Sequence, residues 1–138
     1  MQSKLNPYIS FNGNAREAME FYKSVLGGML TTSTFKEGGM PHDPATAEKL
    51  MHAMLITENG ITLMASDTPP GMPYTPGTNI AISLSGNNED ELRGYWNSLA
   101  DSAQISMPLD KAPWGDTFGM LTDKFGISWL VNISGQKG

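Results

Sequence analysis

The chain has no cysteine among its 138 residues, which excludes disulfides, thiolate nucleophiles and cysteine-ligated zinc. Histidine is nearly as scarce, with His42 and His52 alone. Positive charge is also thin: 9 Lys and Arg stand against 14 Asp and Glu, for a net charge of −5, and no basic cluster forms anywhere. Nucleic acid and anionic membrane surfaces both need a basic face, so both are excluded as expected partners. No apolar run reaches the ~18 residues a membrane helix needs, and no basic N-terminus with an apolar stretch behind it is present, so the expected compartment is cytoplasmic. Familiar catalytic templates are missing too. There is no Gly-x-Ser-x-Gly elbow, no phosphate-cradling Gly-x-x-x-x-Gly-Lys-Ser/Thr loop, and no Gly-x-Gly-x-x-Gly opening a helix after a strand.

What the chain does hold is glycine (15), proline (9) and methionine (10). The first two make it turn-rich, which suits many short strands better than a helical bundle. Methionine packs, or lines adaptable apolar surfaces.

Alternation of apolar and polar residues predicts a strand over 5–11, and Asn12-Gly13-Asn14 supplies a turn with Asn14 as the natural N-cap. Ala15, Ala18, Met19, Tyr22, Val25 and Leu26 share one face of a predicted helix over 15–26, closed by Gly27-Gly28 in left-handed geometry. A Thr-rich strand over 29–36 follows, then a loop over 37–49 expected to be mobile, with a helical turn predicted at 44–49. Strands over 50–57 and 61–66 form a hairpin about Glu58-Asn59-Gly60, because Asn-Gly favours tight primed turns. Residues 68–78, rich in Pro and Gly, read as a linker.

The order then repeats. A strand is predicted over 79–84, with Asn87 or Asn88 capping a helix whose inward face is Leu92, Tyr95, Trp96 and Leu99. A short strand over 103–108 and a hairpin of strands over 118–122 and 127–133 follow. Asn6/Asn79, Ile9/Ile82, Gly13/Gly86, Tyr22/Tyr95 and Leu26/Leu99 align at a spacing of 73, and Met54/Met120, Leu55/Leu121, Gly60/Gly126 and Ile61/Ile127 at 66. A period this long does not fit a solenoid. The expected fold is α+β: two β-α-β-β-β modules, 5–67 and 79–133, joined by the linker in a single domain. Their curved mixed sheets would enclose a cleft.

Paired modules of this kind, with Pro7-Tyr-Ile-Ser-Phe-Asn-Gly-Asn-Ala, Phe21-Tyr22, Leu26-Gly27-Gly28, Met51-His52-Ala53, Leu63-Met64-Ala65-Ser66-Asp67 and Trp114-Gly115-Asp116 running to Trp129, resemble the vicinal oxygen chelate superfamily. That group includes glyoxalase I, extradiol dioxygenases and bleomycin- and fosfomycin-resistance proteins, and the resemblance is to its PhnB-like branch, over about residues 5–133. The resemblance implies metal ligands from the first and fourth strand of each module. Carried over, those positions are Pro7, Met64, Ile80 (or Asn79) and Leu130, none of which supplies the imidazole or carboxylate a divalent ion requires. The expectation is therefore no metal and no cofactor.

His52 is the one strand-borne histidine, a candidate base or hydrogen-bond donor in a cleft, and equally readable as a strand-end residue satisfied by backbone or water. His42 falls in the 37–49 loop and reads as solvated. Met54 and Met64 read as lining the cleft or as ordinary core filling, Trp114 as a cleft wall or a cap on the core, Phe118 as a ligand contact, and Asp110 or Asp116 as orienting a ligand, with Asp116 equally readable as shaping a turn. The leading expectation is a metal-free binder of a small organic molecule, working as a homodimer, the dimer being implied by the resemblance. The rivals are a glyoxalase-type lyase or isomerase using His52 with Asp116 or Glu58, a metal-dependent protein with atypical ligands, and a partner-binding module with a vestigial cleft.

Overall fold

A computed structural model describes residues 3–39 and 42–135. The chain divides into two compact units, Met1–Pro76 and Gly77–Gly138.

In the first unit the order is β1 (Tyr8–Phe11), α1 (Ala15–Leu26), β2 (Met29–Thr34), β3 (Leu50–Ile56) and β4 (Thr62–Asp67). The sheet runs β1-β4-β3-β2, with β1 and β4 parallel and the other pairs antiparallel. Helix α1 buries Ala15, Ala18, Met19, Tyr22, Val25 and Leu26, the stripe that helical periodicity predicts, against β2, β3 and β4. On the sheet side this core is met by Phe11, Ala53, Leu55, Leu63 and Ala65, all buried.

The second unit has β5 (Ile82–Gly86), α2 (Glu89–Leu99), β6 (Gln104–Lys111), β7 (Thr117–Thr122) and β8 (Ser128–Ile133) in a sheet ordered β5-β8-β7-β6. Its core gathers Leu84, Leu92, Trp96, Leu99, Leu121, Trp129, Val131 and Ile133, while Tyr95 is only half-buried. Gly119 lies inside β7 because an added Cβ would stand 2.8 Å from Cη2 of Trp96 and 2.9 Å from Cα of Leu109. The missing side chain is what lets the indole reach the strand.

Several expectations are corrected. Strand β1 begins at Tyr8 rather than at residue 5, and β5 spans Ile82–Gly86 rather than 79–84. Strand β6 continues through Pro108 to Lys111, with register breaks on either side of Met107. Proline lacks an N–H, but β6 is an edge strand and tolerates it. Asn14 makes no side-chain capping bond. The carboxylate of Asp67 takes that place: its Oδ1 accepts from the amides of Gly13 and Ala15 and its Oδ2 from that of Leu50, each at 2.9 Å. Asn88 does cap α2, accepting from the amide of Glu91 at 3.1 Å. Gly27 has φ 75° and ψ −168°, outside the left-handed helical well and in a region that is essentially glycine's own.

The segment between β2 and β3 is tied to itself. Thr34 and Glu37 bond reciprocally, the Phe35 amide donates to Lys49, and Pro44–Glu48 form the expected turn, with the amide of Ala47 donating to the carbonyl of Asp43 at 2.9 Å.

Candidate functional site

Every buried side-chain nitrogen or oxygen among the described residues has a hydrogen-bond partner, so the interiors hold no spare polar group. The candidate site residues of the first unit stand instead on the sheet face that its helix leaves uncovered.

In the first unit, strand alternation puts His52, Met54, Met64 and Tyr8 on that open face, opposite the buried set Ala53, Leu55, Leu63 and Ala65. Register makes them a row: Tyr8 faces Met64, Met64 faces Met54, and Met54 faces Thr31. His52, half-buried, sits two residues along β3 opposite Ser33, and its Nδ1 lies 3.5 Å from the hydroxyl of Tyr8, with the rings tilted at 39°. Tyr8 must reach over β4 to do this. In the sequence Tyr8 stands out only as the neighbour of Pro7 among the carried-over ligand positions, not as a partner of His52. The signal for it was its place in the outward phase of β1, but its partner is 44 residues away.

Glu58, considered as a partner for His52, lies in the turn beyond β3, six residues on and so roughly 20 Å along the strand direction. Asp116 belongs to the other unit. His42 is outside the β-sheet, in the segment before the turn.

In the second unit Phe118 faces Asn132 and Asp110, and the exposed Trp114 meets Phe118 edge-on at 5.8 Å between centroids. Asp116 is fully engaged locally: Oδ1 accepts from the amide of Gly135 at 2.8 Å and Oδ2 from Nδ2 of Asn132 at 3.1 Å. The Gly135 bond first, and then the Asn132 bond, hold its carboxyl below the usual aspartate range, against a smaller opposing effect of burial. The 112–116 turn that carries Trp114 is thereby tied to the end of β8.

The positions carried over as metal ligands shift with the register. Tyr8, not Pro7, shares the open face with Met64, and Ser83, not Ile80, shares it with Leu130. Ile80 lies outside β5 and is 81% exposed. The gapless spacing of 73 therefore misplaces the first strands, which correspond at 75, whereas the hairpins correspond at 66 throughout, as Met54↔Met64 and Met120↔Leu130 show. None of Tyr8, Met64, Ser83 and Leu130 offers imidazole or carboxylate. Among the described residues, no three His, Asp or Glu side chains gather as a metal site. A separate cavity of about 300 Å³ lies by the start of α1, lined by Gly13, Arg16, Glu20, Glu48, Lys49 and Asp67 among others, away from both methionines.

Residues 3–132 match the family model described as 3-demethylubiquinone-9 3-methyltransferase. The crystal structure of PA1353 from Pseudomonas aeruginosa is 37% identical, with a TM-score of 0.84 over 98% of this chain and 100% of that one. A Bacillus cereus structure, described as a putative 3-demethylubiquinone-9 3-methyltransferase, PhnB protein, is 27% identical with a TM-score of 0.76, covering 96% and 100%. Protein YjdN of Escherichia coli K12 is 28% identical over 96% of this chain and 97% of its own. At 14% identity, a glyoxylase/bleomycin resistance protein/dioxygenase domain from Frankia shares the fold, with a TM-score of 0.67 over 100% of this chain and 95% of that one. The chain belongs to this 3-demethylubiquinone-9 3-methyltransferase family, and its fold is that of the glyoxylase/bleomycin resistance protein/dioxygenase domain.

Proposed function

We propose that the chain binds a small organic molecule on its open sheet faces, without a divalent metal at the usual superfamily positions. The observation that carries this reading is the row Tyr8–Met64–Met54, exposed at Tyr8 and half-buried at the two methionines, with half-buried His52 beside it. Two thioethers give an apolar, adaptable floor, and the imidazole with the phenol gives one polar edge that fixes orientation. Trp114 and Phe118 supply a second, aromatic surface. In this reading the chain works as a homodimer in the cytoplasm, the dimer resting on the superfamily likeness.

A second reading, a lyase or isomerase, is favoured by one observation. The Tyr8 hydroxyl can set the tautomer of His52 and so prepare Nε2 for proton transfer. Asp116 does not share that role here, because both of its oxygens are engaged in holding the 112–116 turn.

The family description names a methyl transfer. The chain lacks a nucleotide-type glycine loop opening a helix after a strand, and its open faces offer thioethers and aromatics instead, so the residues present do not fit a methyl-donor site.

A thermal-shift screen with aromatic and aldehyde metabolites, set against divalent ions, tests the proposal. Stabilisation by organic compounds that Met64→Lys abolishes is expected. Stoichiometric binding of zinc, nickel or manganese overturns it.

A further inference from the structure

We propose that His52, Met54 and Met64 form a site for a soft monovalent cation of the Cu(I) or Ag(I) class. This goes beyond the organic-ligand reading and does not rest on it. The three side chains leave one sheet face at neighbouring positions: His52 and Met54 are two apart on β3, and Met64 stands directly across from Met54 on β4. Directly opposed residues hold their Cβ atoms about 4.5–5.5 Å apart, and residues two apart on a strand lie roughly 7 Å apart. Methionine has three rotatable side-chain bonds, so both sulfurs can converge on a point that imidazole Nε2 also reaches.

The donor set selects the ion. Thioether sulfur and imidazole suit Cu(I) and its analogues, whereas divalent magnesium, calcium and manganese want carboxylates. The neighbours on this face are neutral: Tyr8, Thr31, Ser33 and Ser66. The carboxylate closest in sequence to Met64, that of Asp67, points to the buried side and is consumed by three amides. Histidine ligands are usually fixed by a partner on the other ring nitrogen. Tyr8 stands at Nδ1 at 3.5 Å, and a bond from Nδ1–H to its oxygen leaves the Nε2 lone pair for the ion.

The second unit supplies a built-in comparison. At the hairpin spacing of 66, the matching residues are Phe118, Met120 and Leu130, which keep a single donor of the three. Met120 does face another methionine, Met107, but no imidazole joins that pair.

Titration of the purified chain with Ag(I) in chloride-free buffer, followed by calorimetry and by methionine methyl NMR, tests the site. One tight equivalent is expected, moving the methyl signals of Met54 and Met64 first. Met54→Leu, Met64→Leu and His52→Asn should each weaken binding at least tenfold. Tyr8→Phe should weaken it severalfold through the imidazole, and Met120→Leu should leave it unchanged. Methionine to leucine conserves volume, so the fold is retained, and circular dichroism checks this. Absence of a tight equivalent, or binding that survives the Met54→Leu/Met64→Leu double variant, overturns the proposal.

Discussion

The hydroxyl of Tyr8 meets Nδ1 of His52 at 3.5 Å although their strands are not neighbours, with β4 running between them. Two strand spacings, about 9.6 Å, are bridged by the tyrosine side chain lying across the open face. The contact is long for a hydrogen bond and half open to solvent, so its weight is in orientation rather than in stability.

Tyr8→Phe keeps the ring and removes the hydroxyl. Stability should change by no more than about 0.5 kcal/mol, as at other exposed positions. The 15N spectrum of the His52 imidazole should move toward a mixture of tautomers, and any organic ligand found for this face should bind roughly three- to tenfold more weakly, the worth of one hydrogen bond. An unchanged tautomer ratio would show that the phenol does not orient the ring.

The two helices begin differently, and substitutions should separate them. Asn88→Ala removes a bond to the Glu91 amide and should cost about 1 kcal/mol. Asn14→Ala removes no such bond and should cost a few tenths, in line with the mild effects of exposed sites. Asp67→Asn sets an amide group against three backbone donors and should cost about 3 kcal/mol. Urea unfolding orders the three. An Asn14 variant as costly as the Asn88 variant would contradict the capping assignment.

Asp116 carries a pH signature. Its carboxyl is held below the usual range, chiefly by the Gly135 amide and then by Asn132. Such a group adds stability at pH above the unfolded aspartate value, about 3.9, and the contribution fades as pH falls from there through the folded value. The site is at the surface, so the effect is small. The urea midpoint of wild type minus Asp116→Asn should be positive near neutrality and shrink toward zero in acid. A difference constant with pH would remove the ionised carboxylate from the account.

Gly27 and Gly28 both have positive φ, but for different needs. At Gly27 an added Cβ meets nothing, so Gly27→Ala should cost only the backbone strain, about 1–3 kcal/mol. At Gly28 the Cβ would fall on the carbonyl of Ile56 and lie 2.8 Å from Cα of Thr57, so Gly28→Ala should cost clearly more. Thermal unfolding of the two variants gives the order, and equal costs would mean that the contact yields.

Local signals were readable where the physics is local. The stripe Ala15 to Leu26 is a helical period, and α1 has the bounds it predicts. The turn at Glu58-Asn59-Gly60 joins β3 and β4, although β4 starts at Thr62. Misreadings fall where distant strands decide. Pro108 reads as a stop until β6 is known to be an edge. The spacing of 73 differs by two residues from the 75 at which β1 and β5 correspond, and a two-residue slip keeps the in–out alternation, so alternation alone cannot reveal it. His52, Met54 and Met64 were legible as a co-facing set because hairpin register follows from the turn. Tyr8 and the capping role of Asp67 were not, since each acts across more than 40 residues of chain.

Asp67 also bears on the order in which the first unit assembles. Its carboxylate joins amides 54, 52 and 17 residues earlier in the chain. The hairpin of β3 and β4 supplies only the Leu50 amide; the other two donors wait on the parallel pairing of β1 with β4, and closing such a loop is slow. We expect Asp67→Asn to act mainly on the unfolding rate, the three bonds forming after the transition state.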